Sequence, residues 1–238
     1  MTTPLTREGA TPSNDAAAVA PRTGRRLTKK GQLTRERIVA AAAALMLERG
    51  VAGTTIEDIQ EAAAVSASQM YHYFADKDSL VSAVIDLQTE QVLGFQHLSF
   101  GQVESLDDLW RWRDTVVRLV TDLGCVGGCP IGSLGSELAE TDPIARAQLA
   151  RSFAEWERIL RDGLAAMAAA GQFAGNVDTD RLALALLGAT QGGLLLSQIR
   201  RDTTPLATSL DVMIDHIGCH LTDSARVGIR RAHSASAS

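Results

Sequence analysis

The segment VSASQMYHYFADKDSL, residues 65–80, has an unusual concentration of aromatic side chains. The chain has 238 residues and ten aromatic side chains, yet Tyr71, Tyr73 and Phe74 fall within four consecutive positions. Because a helix turns about 100° per residue, Phe74 lies one turn after Met70 on an apolar face. The two tyrosines then border a polar face, which a segment that only packs a core does not need.

Two helix-start signals lie twelve residues apart in this region. Thr54 and Glu57 form a T-x-x-E capping box, and Ser66 and Gln69 form an S-x-x-Q box. This spacing leaves room for about two turns of helix, a tight turn and a second short helix. The sequence therefore predicts a helix-turn-helix, the geometry that places a helix in the major groove of DNA.

Helical signals dominate on both sides of this unit. A first helix is predicted to begin at the cap Thr34 and to end at Gly50. A short helix is expected near residues 133–139, after a glycine-rich connection. The longer helices are predicted at residues 76–95, 105–123, 142–170, 178–200 and 204–221. No segment alternates like a strand, so the predicted fold is all-α, with a larger helical ligand-binding and dimerisation domain after the helix-turn-helix domain.

Charge is unevenly distributed along the chain, whose net charge is −5. The basic residues Arg22, Arg25, Arg26, Lys29, Lys30, Arg35 and Arg37 are opposed in their segment only by Glu36, whereas acidic residues predominate beyond position 81. A basic segment on an acidic body suits binding to phosphates. The predicted organisation is a disordered basic arm at 1–32, a DNA-binding domain at 33–84, an effector-binding and dimerisation domain at 85–221 and a disordered tail at 222–238.

Several functional classes are disfavoured by the composition and motifs. The longest apolar run, residues 38–47, has about half the length of a membrane span, and the N-terminus lacks the apolar core of a signal peptide. Three cysteines without framework spacing suit a reducing cytoplasm. No G-x-S-x-G, H-E-x-x-H or phosphate-loop motif occurs. We therefore expect a cytoplasmic protein that is not an enzyme and has no catalytic residue, cofactor or membrane partner.

The segment TTIEDIQEAAAVSASQMYHYFADKDSL, residues 54–80, resembles the DNA-binding domain of TetR-family transcriptional regulators, whose signature is A-G-V-S-x-x-x-L-Y-x-Y-F-x-x-K-x-x-L. The match spans residues 34–84. The resemblance implies that Ser68, Gln69 and His72 face the major groove of double-stranded operator DNA. It also implies a set of contacts to the DNA backbone from Thr54, Thr55, Ser66, Tyr71, Tyr73 and Lys77.

Two positions depart from this signature. Ala64 stands where the pattern has glycine, so the turn either avoids a left-handed residue or carries slight strain. Met70 replaces leucine, which conserves volume. Gln69 is assigned both a cap and a base contact, and these two roles compete for the same side chain.

The chain beyond residue 85 resembles the helical regulatory domain of the same family, in which the last two long helices form a dimer interface. Gly188, Gly192 and Gly193 lie among leucines and would permit close helix approach in a homodimer; an intramolecular helix contact is the alternative. The segments GCPIGSL and FAEWERIL resemble the branch whose repressors respond to flavonoids and drugs.

A small apolar or aromatic effector is expected in the central helices of this domain. The candidate ligand-binding residues are Trp110, Phe153, Trp156, Met167 and Gln191. Each such residue, taken singly, is more often part of the core than of a ligand site. We interpret the chain as a homodimeric regulator, most simply a repressor, whose effector moves the two DNA-binding domains out of register with successive major grooves.

Two alternatives remain open from the sequence. Cys125, Cys129 or Cys219, with the i, i+4 pair His216 and His220, would serve a redox- or metal-responsive regulator on the same scaffold. Small buried thiols and a histidine pair without ligand function are favoured over this, so no metal site is predicted. An all-α enzyme or interaction module whose N-terminal domain only resembles a DNA binder is the second alternative.

Overall fold

The computed structural model describes residues 27–225, and no β-strand occurs among them apart from an isolated bridge between Phe173 and Leu221. The predicted all-α fold is confirmed. The helices of this described part are α1 (Lys29–Arg49), α2 (Ile56–Ala62), α3 (Ala67–Tyr73), α4 (Lys77–Phe100), α5 (Leu106–Asp122), α6 (Pro130–Leu138), α7 (Pro143–Ala169), α8 (Thr179–Arg200) and α9 (Thr204–Gly218).

Helices α1 to α3 and the first turns of α4 form an N-terminal unit, called here the head. Its apolar centre includes Ile38, Ile59 and Leu80, none of which is exposed. Met70 and Phe74 are also buried, as their helical spacing predicts. Because both anchors of α3 point into the head, the opposite face of this short helix points to solvent.

The turn between α2 and α3 contains a left-handed alanine. Ala64 has φ +49°, and the amide of Val65 donates to the Gln60 carbonyl at 3.0 Å, as in a Schellman motif. Arg37 of α1 supports the turn from outside, since its Nε donates to the Ala63 carbonyl at 2.8 Å. The turn therefore does not avoid a left-handed residue, and it carries the strain that was expected in that case, at a cost of about 1–2 kcal/mol.

Helix α1 begins earlier than the sequence predicts. Its N-cap is Thr28, whose hydroxyl accepts from the Gly31 amide at 3.2 Å. Thr34 is inside the helix and donates its hydroxyl to the Lys30 carbonyl at 3.0 Å, a bond that lets threonine sit in a helix interior. Residues 29–32 are thus helical rather than part of a disordered arm, and residues 223–225 of the predicted tail are helical as well. Residues 1–26 and 226–238 lie outside the described part of the chain.

Helix α2 is capped one residue later than predicted. The capping box joins Thr55 and Asp58, with 3.1 Å from the Asp58 amide to the Thr55 hydroxyl and 3.0 Å from the Thr55 amide to the carboxylate. Thr54 is fully buried and donates its hydroxyl to the Gly50 carbonyl at 2.8 Å. Two adjacent threonines, each with an acid three residues later, give the same sequence signal, and only burial decides between them.

The larger unit, called here the body, contains the rest of α4 and helices α5 to α9. The predicted caps Ser105, Asp142 and Asp178 all precede helices. The short helix α6 begins at Pro130, three residues before its predicted start, after a connection in which Gly124, Cys125, Gly127 and Gly128 all have positive φ.

Helices α7, α8 and α9 pack in sequence, α4 lies on α7, and α5 lies on α9. The guanidinium of Arg113 on α5 binds both oxygens of Asp211 on α9, at 2.7 and 3.1 Å. By length and hydropathy alone α8 could cross a membrane, and 44% of its most apolar window is buried inside the molecule. The long helices therefore form one packed body around the second half of α4.

The three glycines of α8 do not share one role. A Cβ at Gly193 would lie 2.8 Å from the Leu206 Cα, so this glycine permits the close approach of α9 within one chain. A Cβ at Gly188 or Gly192 would meet no atom of another part of the chain within 4 Å, and both glycines lie on the exposed side of the helix. The intramolecular alternative is thus correct for Gly193, and only the other two remain candidates for a dimer contact.

Candidate nucleic-acid interface and effector cavity

Helix α3 presents a polar, solvent-facing surface. Ser68, Gln69 and His72 are all exposed, and Tyr71 beside them is 58% exposed. Hydroxyl, amide and imidazole groups are those that bond to base edges in a major groove, and a tyrosine hydroxyl donates well to a phosphate. The structure therefore brings these four predicted site residues together on one accessible face.

Gln69 closes the predicted capping box of α3. Its side-chain oxygen accepts from the Ser66 amide at 3.0 Å, while the Ser66 hydroxyl accepts from the Gln69 amide at 3.2 Å. The cap therefore occupies the carbonyl end of the Gln69 side chain and leaves its NH₂ group for DNA. The two roles are compatible if Gln69 reads a base only as a hydrogen-bond donor, for example to a purine N7.

The first turn of α1 lies beside α3. A Cβ built at Gly31 would be 3.5 Å from the Tyr73 hydroxyl, so this half-buried tyrosine reaches the start of α1. Lys29 and Lys30 are exposed in this turn, which contains no acidic residue. Cations at the positive end of a helix dipole are unfavourable on their own, and an external anion relieves the repulsion. The first turn of α1 with Tyr73 is therefore suited to a phosphate.

Two of the predicted backbone contacts serve the head itself. Thr54 is removed from the DNA-contacting set because its side chain is buried and its hydroxyl is already bonded to Gly50. Lys77 is half-buried, and its Nζ donates to the Val51 carbonyl at 2.6 Å. Thr55 and Ser66 remain exposed, although each hydroxyl takes part in a helix cap.

Two arginines of the basic segment also hold the head together. The guanidinium of Arg35 lies 5.2 Å from the centre of the Phe74 ring, a cation–π distance, and Arg37 bonds to the turn before α3. The charge pattern therefore overstates the number of groups that face a phosphate. Within the described part of that segment, Lys29 and Lys30 are exposed and have no hydrogen bond or ring contact from their side chains.

A largely apolar cavity of about 230 Å³, called here the central cavity, opens between α4, α5 and the start of α6. No charged side chain lines it. Its walls include Gln88, Val92, Phe95, Gln96, Val116, Leu119, Leu123, Cys129, Pro130, Trp156 and Leu194. This volume suits a small bicyclic molecule and lies just below the usual range for ligand pockets.

The predicted ligand-binding residues differ in their relation to this cavity. Trp156 lines it, and Phe153 stacks parallel to Trp156 with ring centres 6.4 Å apart, outside the lining. Met167 is fully buried in the core and Trp110 packs at its edge, so neither reaches the cavity. Gln191 instead lines a second cavity between α6 and α8. Trp110, Phe153 and Met167 therefore belong to the core or pack behind the cavity wall.

Two polar groups in the central cavity lack partners within the described chain. The indole Nε1 of Trp156 is buried without a hydrogen-bond acceptor. Gln88 is 8% exposed, and its amide bonds to no described residue. Gln96, by contrast, accepts from the Trp112 indole at 3.1 Å. Buried polar groups normally have partners, which makes the Trp156 indole N–H an exception in the wall of this cavity.

The glutamines of α4 were missed by sequence reasoning. Gln88, Val92, Phe95 and Gln96 recur at i, i+4, i+7 and i+8, the spacing of an inward helix face. Two glutamines on the inward face of a helix predict polar side chains inside the domain, and this pattern could have identified Gln88 and Gln96.

The cysteine alternative gains no support from the thiol environments. Burial raises the pKa of the Cys129 thiol, which disfavours the reactive thiolate. Cys125 is buried in the glycine-rich connection, and no disulfide is present among residues 27–225. His216 and His220 meet edge to face at 5.2 Å, yet no group of three or more potential metal ligands occurs in the described chain.

Comparison with known proteins gives the same assignment for both units. Residues 38–84 match the family model for bacterial regulatory proteins of the tetR family, and residues 105–213 match the tetracyclin repressor-like C-terminal domain. An uncharacterised HTH-type regulator of Mycobacterium tuberculosis is 31% identical over 187 residues, covering 72% of this chain and 88% of that protein. The HTH-type repressor DhaR of Mycobacterium sp. is 25% identical, covering 76% and 90%.

Solved structures agree with these sequence relatives. A TetR regulator from Chloroflexus aurantiacus has 31% identity and a TM-score of 0.66, covering 82% of this chain and 98% of the other. A TetR regulatory protein from Rhodobacter sphaeroides has a TM-score of 0.70 at 23% identity, covering 77% and 98%, which supports the fold alone. The chain therefore belongs to the TetR family of DNA-binding transcriptional regulators.

Proposed function

We propose that this chain is a homodimeric cytoplasmic repressor, released from a palindromic operator by a small, neutral, largely apolar ligand with one hydrogen-bond acceptor. The observation that carries the proposal is the pairing of an uncharged cavity with the unpartnered indole N–H of Trp156. Helix α4 starts in the head at Lys77 and reaches the cavity at Gln88, so one rigid element connects both sites. Repression is the activity named for the relative DhaR.

The proposed dimer uses an exposed apolar stripe on α8. Leu184, Gly188, Gly192, Leu195 and Ile199 follow spacings of four, four, three and four residues, which align them along one side of the helix. The three large side chains are 56–69% exposed, and Val212 on the neighbouring helix α9 is 62% exposed. Such a stripe on a monomer is suited to self-association.

A charge in this stripe tests the dimer. Leu195→Glu should convert the protein to monomers in sedimentation, since a carboxylate cannot be buried unpaired at an apolar interface. The matched control is Ile144→Glu, which also replaces an exposed apolar residue, at the start of α7. Dimers that persist in the Leu195→Glu protein would show that another surface is used.

The effector chemistry is tested with three naphthalenes of similar size. The neutral ketone 2-acetylnaphthalene should bind and quench tryptophan fluorescence, because its oxygen can accept from the Trp156 indole. The hydrocarbon 2-ethylnaphthalene should bind about 2–10-fold more weakly, the usual value of one neutral hydrogen bond. The anion 2-naphthoate should bind weakest, since no cation in the cavity compensates its desolvation. Trp156→Phe should abolish the preference for the ketone.

Operator recognition is tested by in vitro selection from random DNA. The dimer should select an inverted repeat whose half-sites lie about 34 Å apart, one turn of B-DNA, or a multiple of that distance. Addition of 2-acetylnaphthalene should lower its affinity for the selected site. Selection of unrelated sequences with no symmetry would contradict the proposed palindromic mode.

A further inference from the structure

A carboxylate of the body is bonded to the backbone of the head. Glu137, near the end of α6, accepts from the Val51 amide at 2.8 Å through one oxygen and from the Ala52 amide at 2.7 Å through the other. Val51 and Ala52 belong to the turn between α1 and α2. Hydrogen bonds to an ionised acceptor are among the stronger ones in proteins. This pair of bonds is called here the Glu137 clamp.

The turn is shaped to receive this carboxylate. Gly50 has φ +77°, and a Cβ there would lie 3.1 and 3.2 Å from the two carboxylate oxygens, so a side chain at this position would crowd the clamp. On the opposite side of the turn, Lys77 donates to the Val51 carbonyl at 2.6 Å. The residue Val51 is therefore held at its N–H by the body and at its C=O by the head.

The other end of α6 reaches the central cavity. Cys129, its N-cap, and Pro130, its first residue, both line that cavity, and Cys129 supplies no side-chain cap bond. One turn later a Cβ at Gly132 would lie 2.8 Å from the Gln191 side-chain oxygen. The cavity wall and the Glu137 clamp are therefore opposite ends of one nine-residue helix.

Helix α6 is loosely packed on further sides. A cavity of about 210 Å³ lies between α6, α1 and α4, and one of about 220 Å³ lies between α6 and α8. Unfilled space beside a helix reduces the packing cost of a small shift, because few neighbours must rearrange. A displacement at the Pro130 end can therefore move the whole short helix as a unit.

We propose that Glu137 is a positioning residue that transmits a shift of α6 at the central cavity to the orientation of the head. The carboxylate moves with α6 and carries the α1–α2 turn with it, so the head follows a change in the cavity wall. This inference rests on the proposed function in one respect, namely that an effector in the central cavity causes the shift of α6. The bonds themselves can be tested without any effector.

The existence of the clamp in solution is tested by amide exchange of the labelled dimer in NMR. Glu137→Ala should speed exchange at Val51 and Ala52 by about tenfold or more, the factor expected when a charge-assisted bond is lost. The control is Glu140→Ala, which removes an exposed carboxylate three residues later. Unchanged exchange in the Glu137→Ala protein would overturn the proposal.

Transmission is tested by a double-mutant comparison. At Gly132 a Cβ would lie 2.8 Å from the Gln191 side-chain oxygen and 3.2 Å from the Cys129 Cβ, so Gly132→Val should displace α6. Shifted α6 amide signals check the displacement, and the α3 amide signals should shift with them when Glu137 is present. In the Glu137→Ala background these shifts should fall to less than about half, because the two sites are coupled through the clamp. Gly132→Ala provides a milder displacement if the valine variant does not fold. Two outcomes would overturn the role of Glu137. Equal α3 shifts in both backgrounds would leave α4 as the connection, and no α3 shift in either background would show that α6 does not influence the head.

Neither outcome depends on operator or ligand binding, so failure here is distinct from failure of the proposed function.

Discussion

The Lys77 ammonium donates a hydrogen bond to the Val51 carbonyl at 2.6 Å and so ties the start of α4 to the turn between α1 and α2. The sequence signature assigns this lysine to a DNA phosphate, and the structure gives it a partner inside the head. The ammonium group has three donors, so the question is which role dominates.

We predict that Lys77→Ala lowers the free energy of unfolding by about 1 kcal/mol or more, because it leaves a half-buried carbonyl without its charged donor. Lys30→Ala, at an exposed position of α1, should leave stability unchanged and reduce the salt dependence of DNA binding by about one unit. Urea unfolding and a salt titration separate the two effects. A Lys77→Ala protein of normal stability with the reduced salt slope would restore the phosphate role.

One isosteric substitution at Gln69 separates its role in the helix cap from its proposed contact with a base. Gln69→Glu keeps an oxygen for the Ser66 amide, so α3 should remain capped, but it replaces the NH₂ donor by an acceptor. The preferred base at the contacted position should shift away from purine acceptors, for example towards a cytosine N4 donor. Tyr71→Phe should weaken all operator variants by similar factors. Repeating the in vitro selection with both variants checks this, and an unchanged preference in Gln69→Glu would remove Gln69 from base recognition.

Ala64 should be replaceable with a gain in stability. Ala64→Gly places in the left-handed turn the residue that adopts positive φ without a Cβ clash, and we expect a gain of about 0.5–1 kcal/mol after the entropy cost of the more flexible unfolded chain. The neighbouring Ala62, in the last turn of α2, is the control, because Ala62→Gly should destabilise by about 0.5–1 kcal/mol. Thermal unfolding of both variants measures the difference in sign.

The helix starts show how far the sequence alone determines this fold. Ser105 precedes an acid three residues later, Asp142 precedes a proline, and Asp178 is itself a good cap residue; each of the three caps a helix. The helix starts predicted at Thr34 and Thr54 were misplaced. A threonine hydroxyl can bond either to an amide at a helix N-terminus or to the carbonyl four residues back, and both of these threonines make the second kind of bond. Burial then selects between Thr54 and Thr55, and burial depends on residues distant in sequence.

The cavity proposed for the effector was less predictable for a related reason. Trp156 and Met167 lie eleven residues apart on α7 and are both fully buried, yet Trp156 alone of the two lines the central cavity. A hydrophobic pattern identifies the inward face of a helix. It does not identify the part of that face where the opposing helices fail to meet, which is what forms a cavity.

The thiol alternative can be tested by alkylation of the native protein. Because burial raises the pKa of Cys129, this thiol should stay protonated at neutral pH and react with iodoacetamide at least about tenfold more slowly than glutathione. Mass spectrometry of peptides after timed quenching gives the rate for each cysteine. A Cys129 that reacts faster than glutathione would return a redox-responsive regulator to consideration.

In the proposed function, one small molecule in the central cavity weakens operator binding. The most direct measurement is a titration of 2-acetylnaphthalene into the dimer with and without its selected operator, followed by tryptophan fluorescence and DNA anisotropy. Linkage requires that operator weaken ligand binding by the same factor by which ligand weakens operator binding, and a factor of about 100 corresponds to roughly 2.7 kcal/mol. We predict equal factors well above one, and a Trp156→Phe protein should need about 2–10-fold more ligand to reach the same release of operator. Ligand affinity that is the same with and without operator would contradict the account.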